Sequence, residues 1–129
     1  MTDEERLKQG FAVRRAVLGD AHVDRAEANK TALTADFQSF ITRYAWGEIW
    51  SRPGLDRHTR SLITVAMMIA LNRNEELAMH LRAAFNNGVT EQELSEVILN
   101  SSLYCGLPAA NVAYHLLQDV VTARQTSTR

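Results

Sequence analysis

Residues 72–88 read NRNEELAMHLRAAFNNG, and their periodicity decides the fold class. Wound as a helix, the segment places Leu77, Leu81, Ala84, Phe85 and Gly88 on one face, at the i, i+4, i+7, i+8 spacing of a core-facing stripe. Asn74 is placed to cap the start of that helix, and Gly88 to stop it. One residue fits the stripe poorly. His80 sits on its shoulder, three residues from Leu77 and four from Ala84. A histidine there is either packed and hydrogen-bonded or kept for its proton.

The same period governs the rest of the chain. An amphipathic helix over about 3–18 ends near Gly19, and a polar connector, DAHVDRAEANKT, follows. The next helix spans about 34–50, with Phe37, Phe40, Ile41, Tyr44 and Ala45 as its expected buried stripe. Pro53 and Gly54 in SRPGLD read as a turn. Asp56 can then cap a helix over about 57–72, apolar nearly all round and so expected at the centre. TEQE at 90–93 is a capping box that opens a helix to about 105. Gly106 ends it, Pro108 falls in the first turn of a last helix to about 123, and the tail QTSTR is expected to fray. Strand-like alternation is absent, so the expected fold is all-α, a single-domain bundle of about six helices over residues 1–129.

Composition narrows the function classes. A chain of 129 residues with 46% apolar and 22% charged side chains is ordinary for one globular domain. A formal charge of −1 leaves no electrostatic footprint for nucleic acid or an anionic membrane. One cysteine excludes an intramolecular disulfide. MTDEERLKQG has no apolar core of a signal peptide, and the longest apolar run, VAMMIAL at 65–71, is too short to span a bilayer. A soluble cytoplasmic protein with a small-molecule partner is expected.

Several residues carry possible chemistry. Glu48 falls at the centre of the Phe37–Tyr44 stripe, where a carboxylate must be paired with an arginine or line a cavity. Arg57 and Arg60 open the central helix, Arg73 follows its end, and Arg82 lies two residues past His80. Each alone reads as a solvated arginine; together with the histidine they suit an anionic small molecule, because guanidinium clamps carboxylates in a fork. Cys105 shares a face with Leu94, Ile98 and Ser101 and reads as a buried structural thiol. His22, His58, His80 and His115 show no metal-ligand spacing, and the sequence has no P-loop, dinucleotide fingerprint or nucleophile elbow.

Three ordered blocks, WGEIWSRPGLDRHTRSLIT, HLRAAFNNGVT and YCGLPAAN, carry a resemblance. With residues 33–121 as its core, the chain resembles the carboxymuconolactone decarboxylase family, and within it the branch acting on γ-carboxymuconolactone. The resemblance implies an alkyl hydroperoxide reductase D-like fold. The thiol reductases of that superfamily carry a CxxC pair ahead of a relay histidine. Aligned on HLRAA, His80 matches that histidine, Arg73 and Glu76 stand at the cysteine positions, and Ser61 stands at the relay glutamate. Thiol redox chemistry is thereby excluded, since the thiolate is its nucleophile.

What the resemblance implies instead is cofactor-free decarboxylation of γ-carboxymuconolactone to β-ketoadipate enol-lactone in protocatechuate degradation. On that reading His80 is the general acid that protonates a dienolate, and Glu48 orients it or serves as a relay. Arg60 and Arg73 contact the carboxylates or the developing oxyanion. The family also implies a homo-oligomer, a trimer or hexamer; Trp46 and Trp50, off the Phe37 stripe, either serve an interface or pack under the connector. Two other readings stand beside it: a family member acting on another carboxylated lactone or small acid, and a non-catalytic helical oligomer that binds a small molecule.

Overall fold

The computed structural model describes residues 1–127, and every regular element among them is helical. In chain order these are α1 (Asp3–Leu18), α2 (Asp20–Ala28), α3 (Ala35–Ile41), a π-helical segment (Thr42–Ile49), α4 (Arg57–Leu71), α5 (Asn74–Asn86), α6 (Glu91–Cys105) and α7 (Leu107–Ser127). The all-α expectation holds. The extra helix is α2, which forms where the sequence suggests a polar connector. Val23 is its one buried residue. Charge ties it to α1 instead: Arg15 meets Asp20 at 3.1 Å and Asp24 at 2.9 Å, and Arg14 faces Glu27 at 3.9 Å. No helix among the described residues is long and apolar enough to cross a membrane.

The chain divides into two compact units, Met1–Arg57 and His58–Arg129. In the first, α1 opens with a Thr2–Glu5 capping box and lies against the π segment. Two glycines allow that approach. A Cβ at Gly10 would overlap the Thr42 carbonyl, and one at Gly47 would stand 2.7 Å from the Arg6 carbonyl oxygen. Arg14 is buried beside them and donates to Thr42 Oγ1 and Gln38 Oε1, both at 3.2 Å. Burial pushes its guanidinium below the ordinary value, and Glu27 opposes that shift.

The stripe expected on residues 37–45 is not the buried face. Phe37 and Phe40 are 62% and 55% exposed and Tyr44 is exposed too; Thr42, Trp46 and Gly47 are the buried residues of the π segment. The cause is the change of helix type, because i→i+5 bonding rotates the residues after 41 away from their α-helical positions. Trp46 belongs to the interior of this unit, with the Trp50 ring 5.2 Å from its own.

The second unit has one continuous apolar core. Val65 and Ile69 of α4, Leu77, Leu81 and Ala84 of α5, Leu94 and Ile98 of α6, and Ala110, Ala113, Leu117 and Val120 of α7 all belong to it. Each large aliphatic side chain buried there contributes about 1.5–3 kcal/mol. The stripe read on α5 is therefore correct, except that Phe85 is half-buried, with the Arg124 guanidinium 4.0 Å above its ring. α4 is less central than its composition suggests. Only Ser61, Val65 and Ile69 of it are buried, and Met67 and Leu71 are more than half exposed. The cap of α5 is Arg73 rather than Asn74, which is already the first helical residue. The Thr90–Glu93 capping box opens α6 as read, and Cys105 at its end is half-buried against the core rather than enclosed. α7 runs on to Ser127, past the expected end near 123, so 125–127 of the tail are helical. The last two residues of the tail lie outside the described residues.

Candidate functional site

α4 and α5 form an antiparallel hairpin in the second unit. Asn72, with φ of 57°, makes the turn between them. At the other end Asn87 Nδ2 donates to the buried Ser61 Oγ at 2.8 Å, which fixes the register of the two helices. His80 lies at the middle of α5, half-buried, with its turn neighbours Leu77 and Leu81 in the core. Arg73 precedes it by two turns, about 10 Å along the axis and on the same face. Arg60 adjoins Ser61 at the opposite end, again about 10 Å along the hairpin from His80. Arg60 is half-buried and Arg73 exposed. The hairpin thus sets the imidazole midway between two guanidinium groups.

Glu48 belongs to the first unit, in the last turn of the π segment. It is not a solitary carboxylate on an apolar face. Its side chain is 40% exposed, and its Oε1 accepts from Arg6 Nε at 2.6 Å. Arg6 in turn donates from Nη1 to Asp3 Oδ1 at 2.8 Å, and its guanidinium lies 5.3 Å from the Tyr44 ring centroid. The hydrogen bond to Glu48 is the main influence holding the Arg6 guanidinium above its ordinary value. Sequence reasoning missed Arg6, because Asp3 and Arg6 at i, i+3 read as a solvated surface pair.

An open groove of about 950 Å³ runs along α4 and α6, with Leu62, Ile63, Ala66 and Val97 as its apolar part. None of His80, Glu48, Arg60 or Arg73 lines it. At its rim His58 Nε2 donates to Glu93 Oε2 at 2.8 Å, while Glu93 Oε1 accepts the Thr90 backbone N–H at 2.9 Å. The Thr90 bond, and then His58, hold the Glu93 carboxyl below its ordinary 4.5. A carboxylate depressed in the folded state stabilises above its unfolded value and loses that contribution as pH falls through the folded one. Glu93→Gln is therefore expected to flatten the acid limb of the stability curve between about pH 5 and pH 3, read by urea denaturation at each pH. Among the described residues no three His, Cys, Asp or Glu side chains gather as a metal-binding group.

The carboxymuconolactone decarboxylase family model matches residues 35–119. A 4-carboxymuconolactone decarboxylase of Acinetobacter baylyi is 60% identical over 120 residues, which is 93% of this chain and 90% of that protein. A nitrosuccinic acid decarboxylase of Metarhizium robertsii is 43% identical over 113 residues, covering 88% of this chain and 79% of its own. A 4-carboxymuconolactone decarboxylase sequence of Pseudomonas putida is 48% identical over 48 residues, 37% of this chain and 100% of its own. The protein is accordingly a helical carboxy-lyase. It belongs to the carboxymuconolactone decarboxylase family.

Proposed function

We propose that the protein decarboxylates γ-carboxymuconolactone to β-ketoadipate enol-lactone in protocatechuate degradation, without a cofactor. The observation that carries this reading is the 60% identity to the Acinetobacter decarboxylase over nearly the whole chain. The α4–α5 hairpin supports it with matching chemistry. Breaking the bond to the departing carboxylate leaves an electron pair that delocalises through the ring alkene onto the lactone carbonyl. That carbonyl is the electron sink, so the protein supplies charge stabilisation and one proton. Arg60 and Arg73 hold the carboxylates or the developing oxyanion in guanidinium forks. His80 gives its proton to carbon and completes the enol-lactone, and Glu48 serves as the relay that restores it. The cytoplasm is the fitting location, where the single Cys105 stays reduced.

We also propose a homo-oligomer, a trimer or hexamer. Leu103, Tyr104 and Leu107 are 75% or more exposed, and Leu99 and Met67 more than half, which is a large apolar surface for a monomer. The similarity to the nitrosuccinic acid decarboxylase favours a second substrate reading, a small dicarboxylate whose nitro group takes the electron pair. Carbon dioxide release from γ-carboxymuconolactone, generated in place, and from nitrosuccinate separates the two. Turnover of the lactone with none of the nitro acid is the expected result; the reverse preference moves the assignment to the second substrate, and release from neither sinks both.

A further inference from the structure

Residues 1–34 lie outside the family match, yet α1 delivers a side chain to Glu48. We propose that Arg6 is a positioning residue for the Glu48 carboxylate, and this rests on the reading of Glu48 as the proton relay. The geometry around it is over-determined. Arg6 Nε holds Oε1 at 2.6 Å, a short charge-assisted contact. The guanidinium cannot slide along the carboxylate, because Nη1 is taken by Asp3 at 2.8 Å and its face lies by Tyr44. Tyr44 is itself tied to Asp3, its hydroxyl 3.5 Å from the same Oδ1. The backbone is anchored too: the Arg6 carbonyl packs against Gly47, the residue before Glu48, closely enough to exclude a Cβ.

The consequence is a carboxylate with one oxygen fixed and the other open. Among the described residues, Oε1 takes the Arg6 bond and no protein donor meets Oε2. A relay needs this division, since a carboxylate free to rotate would spend its time in unproductive rotamers. Arg6 is the better residue for this work than lysine, because its planar fork engages Glu48 and Asp3 together.

The test is a double-mutant cycle on steady-state turnover, using whichever acid the wild type decarboxylates. Arg6→Met is expected to lower kcat about tenfold with KM within about twofold, and to lower it no further in a Glu48→Gln background. Arg6→Lys should recover part of the loss. A residue with only a structural role would cost the same factor in both backgrounds. An equal loss in the two backgrounds, or Arg6→Met at the wild-type rate while Glu48→Gln is impaired, overturns the proposal and leaves the Glu48 reading standing. Glu48→Gln at the wild-type rate, or a wild type that turns over neither acid, removes that reading and this inference with it. Should Arg6→Met not fold, Arg6→Lys carries the same cycle, with a smaller loss expected beside Glu48 and none beside glutamine.

Discussion

His80→Gln is expected to slow carbon dioxide release by about 100-fold or more, while the protein stays folded. Glutamine matches the imidazole roughly in size and still hydrogen-bonds, but it has no proton to give near neutral pH. The loss should fall on kcat, because protonating carbon belongs to the transition state rather than to binding. His80 is half-buried at mid-helix between residues that already fill the core, so the melting temperature is expected to move by a few degrees at most. Circular dichroism and progress curves on the same preparation make the comparison. A folded variant with near-normal turnover would falsify the assignment of His80 as the acid.

Gly10→Ala should be the most damaging small substitution outside that site. Glycine inside a helix normally costs about 1 kcal/mol relative to alanine, so the change would ordinarily stabilise α1. Here the added methyl overlaps the Thr42 carbonyl, which is backbone and cannot swing aside. α1 must lift from the π segment, and overpacking of this kind costs about 1–3 kcal/mol or more. The sign of the effect thus decides whether α1 is seated as described. A clear drop in the urea midpoint is expected for Gly10→Ala. Little change is expected for Gly54→Ala, where an added Cβ meets nothing within 4 Å. Equal midpoints for the two variants would contradict the close approach.

The contrast between α5 and the π segment shows what the sequence carries. Leu77, Leu81 and Ala84 recur at helical spacing and meet a core on that face, so the helix and its buried side follow from local pattern alone. The Thr90–Glu93 box is equally local, and it forms as read. α2 escaped because its stabilisation is charge pairing with Arg14 and Arg15 rather than an apolar stripe. The setting of Glu48 escaped for a different reason. Its partner Arg6 lies 42 residues away, and no periodicity within one helix reports a contact at that separation. His80, Arg60 and Arg73 were legible as residues, and the hairpin adds their order along one axis. The face of residues 42–49 was not legible, since an α-helical wheel assumes a bonding pattern that this stretch does not keep.

That stretch has a meaning for how the chain tolerates change in length. A helix that bonds i→i+5 has taken up more chain than an α-helix needs for the same rise, so it is where an inserted residue can be stored without breaking the rod. Loss of a residue there would let the backbone rewind to ordinary pitch while turning everything after it by about 100° about the axis. Thr42 and Gly47 meet α1 on one side of this stored slack, and Glu48 follows at its end. Length and aim are therefore coupled: an indel that the fold absorbs would still swing the carboxylate away from the guanidinium of the first helix.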